Sequence, residues 1–339
     1  MELMKYRALA RSVEIGMLGS KAAKLTGGAE LAGGRKNVVI VGPTASGKST
    51  AALEIAERIS GQILTVDSMQ VYRAMDIGTA KPTIAEQARA KHHLIDLVDP
   101  SESFTVAKFV ELADEVIAKA PTPLVITGGT PLYYKSLFEG LFEGPGADEA
   151  VRGRLREQTN DVLWGRLLEV DPAAADRIHP NDHKRLIRAL EVFELTGKPI
   201  SSFQTEWASG LFRHDAVWIG LSWDREILNR RINARAKLMI EAGWLDETRN
   251  ILDRFGAFSA TASEATGYRE LVEVIRGGQS LSDAIEQIKI ATRQLARRQM
   301  KWFRRWQQIK WISGDRPLEE IVQEMLAIYT RSDPRMSRS

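Results

Sequence analysis

Gly42-Pro43-Thr44-Ala45-Ser46-Gly47-Lys48-Ser49 fits the pattern G-x-x-x-x-G-K-[ST] without adjustment. Its glycines let the backbone curl so that successive N–H groups point at phosphate oxygens. Lys48 adds a full positive charge, and Ser49 offers a hydroxyl to a magnesium ion. A helix opening at this point would aim its positive end at the same ligand. The chemistry is the binding of a di- or triphosphate, and the pattern does not choose between them. Proteins that hydrolyse nucleotides with such a loop also place an aspartate at the end of a later apolar strand, where it holds the magnesium shell. Here that strand, PLVIT, ends in Gly128-Gly129-Thr130. The acid instead follows the second apolar run, as Asp67 in TVDSMQVY. Ligands of parallel sheets sit at the C-terminal ends of the strands. Asp67 and Thr130 are therefore expected to face the phosphate loop.

The elements that must position these residues can be read from periodicity. NVVIVG from Asn37 is a short apolar, β-branched run, as expected of a buried parallel strand. TAALEIAERI has helical spacing. QILTVD, HHLIDLV and PLVITGG read as further strands, and FTVAKFVELADEVIAKA as an amphipathic helix. Strands alternating with helices predict βαβ units and an α/β fold with a parallel sheet. The expected core comprises residues 37–140 and 211–330. Between them, residues 141–210 are rich in Arg, Glu and Ala with no convincing strand, and predict a helical insertion. VWIGLSW returns to strand character, and long helices are expected from there to Trp311. One more helix should follow Pro317, with a frayed tail at 331–339. Residues 1–36 lack the apolar stretch of roughly 7–15 residues that a secretory signal needs, and predict a poorly ordered extension.

Composition narrows the chemistry. The 339 residues are 44% hydrophobic and 27% charged, which are globular values. No cysteine is present, so disulfides, thiolate zinc sites and thiol nucleophiles are excluded. The five histidines have no metal-ligand spacing, and no apolar run reaches membrane-spanning length. These features predict a cytoplasmic protein with no membrane contact. The net charge of +3 says little, but its distribution says more. From Gln287 to Gly314 there is no acidic residue. Over the same stretch Lys289, Arg293, Arg297, Arg298, Lys301, Arg304, Arg305 and Lys310 are cationic. A solvated helix face normally mixes signs, so this imbalance predicts a polyanion surface. The interleaved Trp302, Trp306 and Trp311 are expected to be core anchors rather than base-stacking platforms.

Several strings together resemble the tRNA dimethylallyltransferase (tRNA isopentenyltransferase) family. They are GPTASGKS at 42–49, DSMQVYRAMDIGTAKP at 67–82, HHLID at 92–96 and GGTPLYYKSL at 128–137. RIHPND follows at 177–182, KRLIRALEVFELTGKP at 184–199, GYRE at 267–270 and RQLARRQMKWFR at 293–304. The resemblance covers roughly residues 37–312. It implies a P-loop NTPase-like parallel sheet flanked by helices, with a helical insertion domain that contacts tRNA. It also implies a channel that admits dimethylallyl diphosphate at one mouth and an extruded adenosine at the other. The implied reaction moves the dimethylallyl group to N6 of the adenosine 3′ of the anticodon, in tRNAs reading codons that start with U. Diphosphate is released.

Carried over residue by residue, the resemblance implies that Asp67 is the general base and that Thr130 bonds at the same centre. The diphosphate would lie on residues 42–49 and Arg225, with Mg2+ on Ser49. tRNA would meet Asp67, Ser68, Met69, Gln70 and Thr130, then Arg152 and Lys184, Arg185, Leu186, Ile187 and Arg188. Gly267, Tyr268, Arg269, Arg293 and Arg297 complete that set. A monomer acting on the anticodon stem-loop is expected. Two other readings of the loop are a small-molecule or nucleoside kinase and a non-catalytic RNA-binding protein. The first explains neither the acid-free helix nor MDIGTAKP and RIHPND, and intact Lys48, Ser49 and Asp67 argue against the second.

Overall fold

The computed structural model describes residues 36–141, 144–203 and 212–332. Residues 1–35 of the expected N-terminal extension and 333–339 of the expected tail lie outside them, whereas residues 331–332, expected to be frayed, end a helix. Six strands form one parallel sheet in the order β3-β2-β4-β1-β5-β6. They are β1 (Asn37–Val41), β2 (Gln62–Thr65), β3 (His92–His93), β4 (Leu124–Thr127), β5 (Ala216–Ser222) and β6 (Lys310–Ser313).

Both faces of the sheet are covered, which explains why its strands read as continuous apolar runs. Alternation along β1 divides its side chains. Val38 and Ile40 face a core shared with Ile63, Val125 and Ile219. Over that face pack α1 (Lys48–Arg58) and α14 (Leu318–Ser332). Val39 and Val41 face the larger core with Leu64, Val66, Ile126 and Trp218. Helices α3 (Val106–Lys119), α4 (Pro131–Glu139), α11 (Trp244–Phe255), α12 (Tyr268–Ile275) and α13 (Leu281–Phe303) contribute to it. Along α13 lies α10 (Arg225–Glu241). Trp306 belongs to this core and Trp311 packs against it, while Trp302 is half-buried with Arg305 over its ring.

Two expectations for the sheet need correction. HHLIDLV pairs with β2 only through His92 and His93, because Leu94 and Asp96 turn to positive φ and end the ladder, and beyond them Val98 keeps one isolated parallel bridge to Tyr72. The stretch expected to be helical up to Trp311 stops at Phe303, and Lys310–Ser313 becomes edge strand β6.

Residues 149–203 form five helices: α5 (Glu149–Arg156), α6 (Asn160–Val170), α7 (Pro172–Ala175), α8 (His183–Thr196) and α9 (Ile200–Phe203). They pack on one another around Leu155, Leu163, Leu167, Leu186 and Leu190. RIHPND is the turn that starts α8, where the Asp182 side chain accepts from Arg185 N. Glu191 is fully buried in this group and accepts from both Arg152 and Arg188.

The MDIGTAKP loop is held by a carboxylate from another part of the chain. Glu247 on α11 accepts from the backbone N–H of Asp76 (2.9 Å), Ile77 (2.7 Å) and Gly78 (3.2 Å), and from the Tyr268 hydroxyl (2.6 Å). Lys81, nearly inaccessible, donates to Tyr72 O, Asp76 and Asp96. Removing a carboxylate that serves three backbone donors leaves them unpaired. Glu247→Ala should therefore lower unfolding stability by roughly 2–4 kcal/mol, read from the urea midpoint. An unchanged midpoint would show that the loop holds itself.

Candidate active site

Register brings the chemistry together. Val39 pairs with Ile126 and Ile40 with Thr127, while on the other side of β4 Thr65 pairs with Thr127. Gly42, Asp67 and Gly129 each lie two residues beyond this common level. Three loops therefore leave one sheet edge side by side, as expected for the ligand edge of a parallel sheet.

The phosphate loop is shaped from outside. Gly47 has φ +86°, which suits glycine, and caps the start of α1. Trp223 donates to Ser46 O (3.0 Å) and Arg231 to Ala45 O (2.9 Å), with the Arg231 guanidinium 4.2 Å above the Trp223 ring. A trans peptide holds C=O and N–H in opposite directions. Pinning the Ser46 carbonyl outward therefore turns the Gly47 N–H into the loop.

On β4 the loop passes so close to β2 that a Cβ on Gly128 would stand 2.0 Å from Val66 O. That approach places Thr130 beside Ser68. The Thr130 hydroxyl accepts from Ser68 N (2.9 Å) and lies 3.1 Å from the Ser68 hydroxyl. Asp67 uses Oδ1 to accept from Met69 N (2.9 Å). Its Oδ2 would stand 2.9 Å from a Cβ on Gly129, so any larger residue there would push the carboxylate aside.

These loops enclose a cavity of about 420 Å³, within the usual range for small-molecule sites. Thr44, Ala45, Lys48, Ser49, Asp67–Gln70 and Gly128–Thr130 line it, with Arg235 and Arg298 as further cations. Ile232, Ala236, Met239, Ile288 and Leu295 give it an apolar wall. A phosphate cradle and an apolar surface thus share one space.

Burial governs the ionisation of both key groups. It lowers the Lys48 ammonium to about 8, assisted by Arg235 and partly opposed by Asp67. It raises the Asp67 carboxyl above its ordinary range, against the opposing effects of the Met69 N–H and of Lys48.

Several expected site residues lie elsewhere. Arg225 is exposed at the first turn of α10 and does not line the cavity. Ten residues along that helix, about 15 Å, Arg235 does. Leu186 and Ile187 are core residues of the helical group, and Tyr268 is buried against Glu247. Their side chains therefore support a surface from behind. Gly267 is buried beside Trp244, and Arg269 beyond Tyr268 is exposed. Arg152 and Arg188 are partly engaged by Glu191, whereas Lys184 and Arg185 are exposed and Lys184 pairs with Glu264. Arg293 donates to Asn233 on α10 (2.6 Å), while Arg297 is exposed.

Sequence reasoning did not find Arg231, Arg235 and Gln299. The first two stand one helical turn apart on α10. Gln299 shares the buried stripe of α13 with Ala296 and Phe303, and a polar residue in an apolar stripe was the available signal.

Residues 70–306 match the family profile described as IPP transferase, and residues 36–102 match that described as isopentenyl transferase. The chain belongs to the IPP transferase family. It is 44% identical over 299 residues to a tRNA dimethylallyltransferase of Geobacter metallireducens, spanning 86% of this chain and 97% of that one. It is 45% identical over 287 residues to one of Acetivibrio thermocellus, spanning 82% and 91%. Among solved structures, the full-length tRNA isopentenylpyrophosphate transferase of Bacillus halodurans is 36% identical, with a TM-score of 0.66. The match covers 90% of this chain and all of that one. A eukaryotic dimethylallyltransferase described as acting on tRNA is 27% identical, with a TM-score of 0.71, and the match covers 83% and 74%.

The opposed environments of the two groups give two expectations. Asp67 ionises at the cost of fold stability, because its folded-state proton affinity exceeds the unfolded one. Asp67→Asn should therefore raise the thermal midpoint at pH 7 and leave it unchanged at pH 3, measured by calorimetry. A lower midpoint at pH 7 would contradict the buried-carboxylate reading. A diphosphate bound beside Lys48 favours the ammonium, so neutral Lys48 must first take up a proton. The affinity for inorganic diphosphate should therefore fall with rising pH above about 8, and Lys48→Arg should flatten the fall. A profile identical in both proteins would exclude Lys48 as the titrating group.

Proposed function

We propose that this enzyme transfers the dimethylallyl group of dimethylallyl diphosphate to N6 of an adenosine in tRNA, the one 3′ of the anticodon. The observation that carries the proposal is the single cavity in which the phosphate loop, Asp67 and an apolar wall meet. An apolar wall would also suit the base of a kinase's nucleotide, so it is the family match that tells against a kinase, while the wall suits a prenyl chain. Transfer to N6 needs all three features.

The adenine amine is a weak nucleophile, since its lone pair is delocalised into the ring. As its nitrogen bonds to the allylic carbon, the bond from that carbon to the diphosphate oxygen breaks and the amine must lose a proton. Asp67 is the acceptor for that proton, and its raised proton affinity suits the task better than an ordinary carboxylate would. Thr130 holds Ser68 and the end of β2 in place around it. The departing diphosphate gathers charge on its oxygens. Lys48, Arg235 and the inward N–H groups of the loop stabilise that charge.

The donor set suits a hard cation. Among the described residues no cluster of three or more His, Asp or Glu side chains could hold a metal. Mg2+ would then be held by the Ser49 hydroxyl together with diphosphate oxygens, and would neutralise leaving-group charge.

tRNA approaches over exposed cations. Arg297, Arg298, Lys301 and Arg304 lie on the open side of α13 and its end, and Lys184 and Arg185 open α8 of the helical group. Extruding a base from a single-stranded loop costs a few kcal/mol at most. We assign the helical group to the anticodon arm on this charge, and the activity to a cytoplasmic monomer, where tRNA is available. Among the described residues no helix is long and apolar enough to cross a membrane.

The direct test offers dimethylallyl diphosphate labelled in its prenyl group, with magnesium and unmodified tRNA, beside a parallel reaction with ATP alone. Acid-stable label on the tRNA with no ATP consumed is the expected result. ATP turnover without label would replace the proposal with the kinase. Arg297→Glu should weaken tRNA binding and flatten its salt dependence while prenyl diphosphate affinity stays unchanged. An unaltered salt slope would remove α13 from the RNA surface.

A further inference from the structure

Gln299 joins the two halves of the site. Its Oε1 accepts from Thr44 N in the phosphate loop (2.8 Å), and its Nε2 donates to Gly129 O in the loop after β4 (2.6 Å). The side chain is 3% exposed, and α13 holds it rigidly between Ala296 and Phe303, both buried. The chemistry of the two partners fixes the amide's orientation. Thr44 offers only a donor here and Gly129 only an acceptor, so the side chain must accept at one end and donate at the other.

We infer that Gln299 is a positioning residue that sets the separation between the leaving-group cradle and the proton acceptor. The inference rests on the transfer reading above. Residues 44–49 hold the diphosphate side. Gly129 lies against Asp67 Oδ2, and Thr130 follows it with its hydroxyl on Ser68 N. Among the described residues no other side chain bridges the 43–49 loop and Gly128–Thr130 by hydrogen bonds to both. The α13 side chain therefore spans a gap that the sheet alone leaves to its loops. Displacement requires the amine, the allylic carbon and the departing oxygen to be aligned within a few tenths of an ångström. A misplacement of about 1 Å costs on the order of a hundredfold in rate. The strap also occupies the Thr44 N–H, leaving the later N–H groups of the loop to the diphosphate.

The claim separates from simple core packing through the protonation of a substituted carboxyl. A neutral glutamic acid at this position can still accept from Thr44 and donate to Gly129, whereas glutamate repels the Gly129 carbonyl. Burial favours the neutral acid. The test compares wild type, Gln299→Glu and Gln299→Met between pH 6 and 9. It reads single-turnover label transfer to tRNA, with dissociation constants for tRNA and for the unreactive dimethylallyl thiolodiphosphate. In Gln299→Glu the transfer rate relative to wild type should recover at least tenfold as pH falls from 9 to 6. In Gln299→Met it should be lowered about ten- to a hundredfold at every pH, with both dissociation constants within threefold of wild type. Hydrogen exchange at the Thr44 amide should be faster in Gln299→Met. A methionine variant that transfers at full rate, or a glutamate variant whose deficit does not change with pH, overturns the strap. So does a loss confined to substrate affinity. If Gln299→Met does not fold, the pH recovery of Gln299→Glu decides alone. Wild-type protein that transfers no label contradicts the transfer reading and this inference together. Wild-type transfer with an indifferent Gln299 contradicts the inference only.

Discussion

The site depends on one constraint, the parallel register of β2, β4 and β1. β2 and β4 end at the same level and β1 one residue beyond it, and Gly42, Asp67 and Gly129 each lie two residues past that level. A slip of one residue in β4 would turn Thr127 and its neighbours to the opposite face and carry Gly129 away from Asp67. The apolar alternation of the strands, divided between two cores, is what prevents that slip. Catalytic geometry is in this sense a by-product of hydrophobic pairing.

Within that frame the protein spends stability on reactivity. Lys48 is buried and Asp67 half-buried in one cavity, where desolvation disfavours the charged form of each. Their mutual attraction offsets only part of the desolvation. The arrangement holds because rigid neighbours enforce it. Trp223 and Arg231 grip the outside of the phosphate loop, Gln299 grips the inside, and Glu247 grips the MDIGTAKP loop that borders the cavity. Lys48, Arg235 and Arg298 line this cavity, and Asp67, Glu86 and Glu264 are the carboxylates among its lining residues.

The phosphate loop, Asp67 and Thr130 could be read in the sequence because backbone geometry limits such loops to few residue types. The sheet could be read because buried parallel strands are apolar throughout. HHLIDLV misled because its continuation depends on the left-handed backbone of Leu94 and Asp96, which periodicity does not report. Lys310–Ser313 was hidden by the basic run before it, and it became a strand only because β5 offered an open edge. RIHPND and the conspicuous Tyr268 drew attention as motifs. In the structure they serve a helix cap and a buried support. Arg225 was expected from the family resemblance, yet the cavity is reached from the middle of α10, where only three-dimensional packing against the phosphate loop distinguishes Arg235 from its neighbours. The helical group could be expected from composition, but which of its arginines Glu191 occupies could not.

The central claim is that the phosphate loop serves a prenyl diphosphate in the same cavity as Asp67. Calorimetric titration of dimethylallyl thiolodiphosphate, repeated with ATP and repeated in Lys48→Met, tests it most directly. The account predicts that the prenyl analogue binds more tightly than ATP, competes with inorganic diphosphate, and loses its affinity in Lys48→Met. Tighter binding of ATP, with no competition from the prenyl analogue, would contradict it.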